Sequence, residues 1–339
     1  MHIENFKCFK DFDIKLGSFN VLIGPNDTGK TAFLQAVRLC GAAGKNSIWH
    51  KPIEALEQEV GISLRRECIW RNDESLRATM LVGASGCKNR LLKGHRLYIK
   101  IGGGAQQECF LARANNPKAR LQEHEAEAWF AESIGPIRYY RLDPKALRRP
   151  RPLGHPMDEI GDGFPVFLDS INRESRKVFF ELEGHFYKRF PYYRQLTLPN
   201  KGQDLSIAFE TVHGEKLGCE SVSDGVMLSL AFMAIAHQPN PPRVLLIEEP
   251  ETGVHHTSLK DTVDTLKHLS KDKGVQVILT THSPYLLDEV EPDQVHVFQK
   301  DDEGAVHARK LSEFEGAEEI SDMFSTGEKW SLLSEKYGI

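Results

Sequence analysis

The stretch that decides the fold reads Gly24-Pro25-Asn26-Asp27-Thr28-Gly29-Lys30-Thr31. It has the form G-x-x-x-x-G-K-T and lies between an apolar run at Phe19–Ile23 and a helix-like stretch from Lys30 to about Leu39. A strand, a glycine-bearing loop and a helix are the context in which this pattern binds phosphate groups. The stretch therefore predicts a phosphate-binding loop at the end of a buried strand.

Each residue type in this loop has a defined chemical use. Gly24 and Gly29 allow the backbone angles that turn several N–H groups inward, and the helix N-terminus adds partial positive charge. Lys30 can reach the β- and γ-phosphates of ATP, and the Thr31 hydroxyl can bind Mg²⁺. We therefore expect ATP and Mg²⁺ as cofactors. The residues expected to contact ATP are Gly24, Asn26, Asp27, Thr28, Gly29, Lys30, Thr31 and Ala32.

A second motif ends an apolar strand in two carboxylates. Residues Val244–Ile247 are followed by Glu248 and Glu249. A buried strand that ends in two acids needs a partner for their charge, because an unpaired buried charge is costly. We expect Glu248 to hold Mg²⁺, directly or through water, and Glu249 to polarise the water that attacks the γ-phosphate. The alternative is a strand end that simply meets solvent.

Two further polar sites follow the same logic. Ser223 and Asp224, followed by Gly225, open a predicted helix at Asp224–His237. Ser223 suits an N-cap, so this is either a capped helix alone or a helix N-terminus that faces a γ-phosphate. His282 follows the predicted strand Val275–Thr280 and is either structural or in contact with the γ-phosphate or its water.

The remaining pattern divides the chain into segments. Short strands predict an antiparallel lobe early in the chain, and Arg138–Pro156 is interpreted as an exposed basic connector. Helical spacing returns at Phe164–Phe190, and strand–helix–strand units in the last third predict a parallel sheet. The lobe strands are predicted at Glu59–Leu64, Leu76–Val82, Arg96–Ile101 and Cys109–Ala112, and the later core strands at Arg243–Ile247, Val275–Thr280 and Val295–Gln299.

Composition excludes several classes of protein. The 339 residues carry a net charge of −5, which argues against a wholly basic nucleic-acid binder but not against a local basic patch. The six cysteines form no C-x-x-C pair, so neither a zinc knuckle nor a disulfide framework is indicated. No apolar run reaches the roughly 18 residues of a membrane helix, so we expect a cytoplasmic protein without a membrane partner.

Taken in order, these motifs resemble the ATPase heads of the ABC superfamily. The resemblance is to the RecF/SMC/OLD-like branch, whose first strand is similar to Ile3–Phe9 and whose D-loop is similar to Glu249–His255. It implies an α/β fold: a P-loop ABC/SMC-like head with a parallel-sheet core, an antiparallel β lobe and a helical insertion. Residues 1–339 would form one two-lobed head, with the basic connector and insertion at 144–200.

The resemblance also implies how such heads work. ATP lies between two heads arranged head to tail, so Ser223 would act across a homodimer or larger oligomer. Lys30, Glu249 and His282 would be catalytic within one head, and Thr31 and Glu248 would hold the metal. Lys7 would either approach the nucleotide or be an ordinary surface lysine. The residues expected to contact ATP from the second head are Ser223, Asp224 and Gly225.

Three functions remain open at this point. The first is an ATPase whose dimerisation controls a separate effector, a nuclease or toxin, as in stand-alone ATPase subunits of bacterial anti-phage systems. The segment after His282 is too short for the nuclease domain of OLD nucleases, so we expect that effector in another chain. The second is a RecF/SMC-like ATPase that binds DNA through Arg148, Arg149 and Arg151 in repair or chromosome maintenance. The third is a structural or regulatory subunit that binds ATP with little turnover.

Overall fold

The computed structural model describes residues 1–44, 78–83, 95–101, 108–113, 116–120, 129–130, 133–254, 256–314 and 324–337. Within these ranges the chain has two six-stranded sheets and two three-stranded sheets, with helices packed between and around them. The strand predicted at Glu59–Leu64 and the residue His255 lie outside the described residues.

The core sheet carries the phosphate loop. Its strands are β3 (Phe19–Ile23), β8 (Ile137–Tyr140), β15 (Val244–Glu248), β16 (Gln276–Thr280), β17 (Val295–Lys300) and β18 (Val306–Lys310). They lie in the order β18-β17-β3-β16-β15-β8. Neighbouring strands run parallel, except that β17 and β18 are antiparallel. Every residue of β3 and β15 is buried, as expected where helices cover both faces of a parallel sheet.

This strand order brings the sequence motifs to one edge. β16 lies between β3 and β15. Its last residue, Thr280, is paired with Glu248 of β15 on one side and with Leu22 of β3 on the other. The phosphate loop, the acidic pair and His282 all follow the carboxyl ends of these three strands. In open α/β sheets ligands bind at that edge.

The second six-stranded sheet is the antiparallel lobe. Its strands are β1 (His2–Phe6), β2 (Phe9–Asp13), β4 (Ala78–Gly83), β5 (His95–Ile101), β6 (Glu108–Arg113) and β7 (Asn116–Arg120), in the order β2-β1-β4-β5-β6-β7. The predicted single strand at Ile3–Phe9 is wrong: it is a hairpin that turns at Lys7 and Cys8. Lys7, directly after the first strand, adopts a left-handed φ of 52°, which allows the chain to reverse there.

The helices cover the core sheet. They are α1 (Lys30–Gly44), α2 (Pro144–Leu147), α3 (Phe164–Glu174), α4 (Arg176–Arg189), α5 (Asp224–His237), α6 (His256–Lys273), α7 (Pro284–Leu287) and α8 (Thr326–Tyr337). The helical region predicted at Phe164–Phe190 is two helices, because Ser175 ends α3 and its side chain caps α4. In the described part of the chain, no helix is both long and apolar enough to cross a membrane.

The predicted connector begins differently from the expectation. Ile137–Tyr140 is not exposed irregular chain but β8, an edge strand of the core sheet beside β15. Beyond it lie α2, α3 and α4 with the short strands β9 (Arg151–Pro152), β10 (Tyr193–Thr197), β11 (Asn200–Lys201), β12 (Asp204–Leu205), β13 (Ala208–Thr211) and β14 (Lys216–Gly218). The division into one two-lobed head with an insertion at 144–200 stays a prediction.

Candidate active site

A cleft of about 460 Å³ opens at the carboxyl edge of the core sheet. It brings together most of the residues that the motifs nominate, from the phosphate loop, the end of β15 and the end of β16. The lining residues are Lys7, Cys8, Asn26, Asp27, Thr28, Gly29, Lys30, Thr31, Ala32, Gln35, Arg141, Glu248, Glu249, Thr280 and His282.

The loop backbone requires glycine at both predicted positions. Gly24 has a φ of +149°, and a Cβ there would come within 2.3 Å of the Phe298 carbonyl oxygen. Gly29 has a φ of +85°, and a Cβ there would meet Cys8 Sγ at 2.6 Å. The loop can therefore keep its shape only without side chains at these two points.

Lys30 is folded back onto the loop. Its Nζ donates to the carbonyl oxygens of Gly24 at 2.7 Å and Pro25 at 2.8 Å, and its side chain is almost fully buried. Burial lowers the pKa of Lys30 to about 8, although the charges of Glu249 and Glu248 act in the opposite direction. A buried ammonium that contacts two carbonyl oxygens and, among the described residues, no carboxylate is suited to receive an anionic ligand.

The lowered pKa of Lys30 predicts that nucleotide binding depends on pH. Above pH 8 the free protein increasingly carries a neutral Lys30, whereas phosphate oxygens favour the ammonium form. Binding then takes up a proton, and ATP affinity falls by up to roughly tenfold per pH unit above 8. Calorimetric titrations at pH 7.0 and 9.0, in buffers of different ionisation enthalpy, measure that proton. A proton count of zero at pH 9.0 would contradict the assignment.

The carboxylate of Glu248 is held by two hydroxyl groups. Thr31 Oγ1 donates to Glu248 Oε1 at 2.5 Å, and the Tyr139 hydroxyl donates to Glu248 Oε2. Burial and this hydrogen bond raise the pKa of Tyr139, so it stays a donor. The hydroxyl and carboxylate oxygens of Thr31 and Glu248 are the hard donors that Mg²⁺ prefers, so the pair fits the ion. Bound there, Mg²⁺ would neutralise charge on the phosphate oxygens.

Tyr139 therefore orients the proposed metal ligand. Removing its hydroxyl in Tyr139→Phe leaves Glu248 Oε2 without a donor and frees the carboxylate to rotate. We expect the Mg²⁺ concentration that gives half-maximal ATP hydrolysis to rise about tenfold or more. Tyr140→Phe is the matched control, because Tyr140 is the neighbouring residue on the strand and is buried in the core, whereas Tyr139 donates to Glu248. Equal Mg²⁺ dependence in the two variants would contradict this role.

Glu249 leaves the strand in an unusual backbone conformation. Its φ is +49°, a left-handed value that costs a non-glycine residue roughly 1–3 kcal/mol. The conformation is held by a hydrogen bond of 3.0 Å from the Glu249 amide to the Thr280 carbonyl oxygen. The carboxylate lies 3.8 Å from His282 Nε2 and 3.8 Å from an Arg141 nitrogen. The strained turn thus directs Glu249 into the cleft.

His282 is positioned by the segment that follows the acidic pair. Glu251 Oε1 accepts hydrogen bonds from the His282 amide at 2.8 Å and the Thr281 hydroxyl at 2.7 Å. The imidazole is partly exposed and faces Glu249 across the cleft. Glu251 therefore ties the loop after β15 to the loop after β16.

The structure does not bring the Ser223 segment to this cleft. Ser223 is exposed and caps α5, its Oγ accepting from the Val226 amide at 3.4 Å. Arg148 clamps the segment by donating to the carbonyl oxygens of Cys219 and Val222 and by pairing with Asp224 at 2.7 Å. Ser223, Asp224 and Gly225 therefore do not line the cleft that holds the phosphate loop.

Sequence reasoning missed Tyr139 and Arg141 as parts of the site. Tyr139 donates a hydrogen bond to Glu248, and Arg141 lines the cleft, because β8 is the neighbour of β15. Strand order carries no local sequence signal. Lys7, which was expected to approach the nucleotide, lines the cleft and donates to Gln35 Oε1 at 2.7 Å.

The fold and site together define a P-loop ATPase head of the ABC/SMC/OLD-like class. A family model described as "AAA domain, putative AbiEii toxin, Type IV TA system" matches residues 112–288, slightly more than half of the chain. The chain belongs to that family. A second model, for the AAA ATPase domain, matches residues 1–58.

Solved structures share the fold of this chain. An SMC head bound to the C-terminal winged-helix domain of ScpA has a TM-score of 0.63 at 16% identity, covering 92% of this chain and 97% of that one. A Pyrococcus furiosus Smc head with an extended coiled coil, bound to the ScpA C-terminal domain, gives 0.59 at 13% identity, with 99% and 98% covered. These likenesses confirm the predicted fold class.

The curated relatives match over short segments. An OLD nuclease from Thermus scotoductus is 41% identical over 39 residues, and ABC transporter G family member 5 from Arabidopsis thaliana is 42% identical over 43. These segments are 12% and 13% of this chain, and the chain spans 7% of the length of either relative.

Proposed function

We propose that this protein is a Mg²⁺-dependent ATPase. One observation carries the proposal: Thr31 of the phosphate loop and Glu248 of the acidic pair are joined at 2.5 Å in a cleft that Lys30, Glu249 and His282 also line. A phosphate cradle, an oxygen-donor pair and a carboxylate that can polarise water are the parts that ATP hydrolysis requires.

Different groups of the chain bind the phosphates and orient the attacking water. Lys30 moves from the loop carbonyls to the β- and γ-phosphates, and the loop N–H groups hold the remaining oxygens. Glu249 accepts a hydrogen bond from the attacking water and orients it toward the γ-phosphate. His282, 3.8 Å from Glu249, contacts the water or the γ-phosphate from the other side of the cleft.

Phosphate release measured with and without Mg²⁺ tests this function. We expect steady-state ATP hydrolysis that requires Mg²⁺ and is lost in EDTA. Tight ATP binding without turnover would instead support a structural or regulatory subunit. The absence of ATP binding would contradict both.

We further propose that two heads close on ATP head to tail. Ser223 is exposed, caps a helix of 14 residues and lies outside its own cleft, which is the placement needed to serve a partner's nucleotide. A helix N-terminus there would add its partial charge to the γ-phosphate of the other head. Light scattering should show a dimer with ATP and a monomer with ADP.

The proposed output is control of a separate effector, a nuclease or toxin in bacterial anti-phage defence. It is supported by the family description, which names a toxin–antitoxin system, and by the OLD nuclease segment. Affinity capture on the Glu249→Gln protein with ATP, compared with the wild type and ADP, tests it. The same set of retained proteins in both conditions would contradict nucleotide control. A cytoplasmic location stays a prediction.

The DNA-binding alternative depends on the arginines at 148, 149 and 151. The structure gives each of them a partner within the chain: Arg148 clamps the Ser223 segment, while Arg149 and Arg151 pair with the buried Asp162 at 3.1 and 2.5 Å. Because these arginines are paired with groups of the chain itself, less positive charge is available to bind the phosphate backbone of DNA. DNA binding at low salt that is ATP-dependent and falls steeply with salt would restore this alternative.

A further inference from the structure

Arg141 has a place in the cleft that the proposed roles do not explain. It follows β8 directly, and its side chain is 61% exposed and lines the cleft beside Glu248 and Glu249. Its charged contact among the described residues is Glu249, at 3.8 Å. The contact is long and partly solvated, so it costs little to break.

Other arginines of this region are committed to several partners. Arg148 makes four short contacts, and Arg38 pairs with Glu159 while stacking on the Tyr139 ring. Among the described residues that line the cleft, Arg141 is the one arginine, and its guanidinium is not tied down. Its position is nevertheless fixed, because its amide donates to the Glu159 carbonyl oxygen at 2.9 Å and the Asp143 amide donates to that of Ile160 at 2.9 Å. Only the side chain is free to move.

The charges in the cleft indicate a role for Arg141, which is to offset the repulsion between Glu249 and the γ-phosphate. Glu249 must stand near the γ-phosphate to orient water, yet its carboxylate repels that phosphate. A guanidinium within reach of both groups offsets the repulsion, and its planar fork matches two phosphate oxygens better than an ammonium does. Arginine side chains supply this charge in many phosphoryl-transfer sites.

We propose that Arg141 exchanges Glu249 for the γ-phosphate when ATP enters the cleft, an inference that rests on the proposed ATPase function. In the nucleotide-free protein Arg141 holds the Glu249 carboxylate. With ATP it binds the γ-phosphate and releases that carboxylate to the attacking water. ADP has no γ-phosphate, so Arg141 stays on Glu249 and the head distinguishes the two nucleotides.

The test compares the affinities of AMP-PNP and ADP, both with Mg²⁺, for the full chain. Arg141→Ala should weaken AMP-PNP binding roughly 10- to 100-fold and ADP binding less than about threefold. Arg141→Lys keeps the charge without the fork and should fall between Arg141→Ala and the wild type. Arg138→Ala is the matched control, since Arg138 is an exposed arginine on β8, three residues before Arg141, and does not line the cleft.

A purely structural ion pair makes a different prediction. If the ion pair is only structural, Arg141→Ala should weaken the binding of AMP-PNP and ADP equally, or weaken neither. Either result would overturn the proposal, and the proposed ATP hydrolysis by the wild type would still stand. If the wild type itself binds neither nucleotide, the proposed ATPase function fails first and this inference falls with it. If Arg141→Ala has the same melting temperature as the wild type by circular dichroism, misfolding is excluded as the cause of a reduced AMP-PNP affinity.

Discussion

Replacing Glu249 by glutamine should lower the rate of ATP hydrolysis by about 10²- to 10⁴-fold while ATP still binds. The amide keeps the size of the carboxylate but cannot take the proton of the attacking water. It also removes a negative charge from the γ-phosphate region, so ATP affinity should stay the same or rise. The variant should therefore accumulate in an ATP-bound dimer, which single-turnover phosphate release and light scattering together measure.

Glu289→Gln is the matched control for this change. Glu289 is a surface carboxylate that pairs with Lys260 at 3.2 Å, so its loss removes the same charge away from the cleft. Phosphate release by Glu249→Gln at the wild-type rate would show that another group orients the water.

The second large effect is expected for Lys30. Lys30→Met fills a similar volume without charge, so the loop packing should survive while the phosphate contacts are lost. We expect affinity for both ATP and ADP to fall about 100-fold or more, since charged hydrogen bonds to both the β- and γ-phosphates disappear. This pattern differs from that of Arg141→Ala, which should spare ADP. Fluorescence titration with a labelled nucleotide analogue, competed by ATP and by ADP, measures both affinities.

Lys10→Ala serves as the control for Lys30. Lys10 is an exposed lysine that pairs with Glu303 at 2.7 Å outside the cleft. Unchanged nucleotide affinity in Lys30→Met would exclude the phosphate loop as the binding site. Loss of the pH dependence in the same variant would link the titration above pH 8 to this lysine.

Local sequence signals predict the parts of this fold that depend on local chemistry. The helix at Asp224–His237 is found at the predicted bounds. The strand at Val244–Glu248 is shifted by one residue at both ends, and the strand at Gln276–Thr280 begins one residue later than predicted. Near-continuous apolar runs mark buried parallel strands. The hairpin turn at Lys7 and Cys8 was missed, because neither residue is of a type that marks turns.

The candidate site shows the same division. The spacing of the phosphate loop and the two acids after a buried strand mark Lys30, Thr31, Glu248 and Glu249 from the sequence alone. Tyr139 and the arginine that follows β8 could not be found that way. Tyr139 reaches Glu248, and that arginine reaches the cleft, only because β8, more than 100 residues before β15, pairs with it in parallel. Long-range strand order depends on packing rather than on local pattern.

Mixing two inactive variants tests the central claim, that ATP is hydrolysed at a site shared by two heads. Lys30→Met removes the phosphate contact of its own head, and Ser223→Arg blocks the contact made across the dimer. Neither variant alone should hydrolyse ATP. A 1:1 mixture should regain about a quarter of wild-type activity, because half of the dimers are mixed and each has one intact composite site. No recovery at any mixing ratio, or full activity in Ser223→Arg alone, would contradict the account.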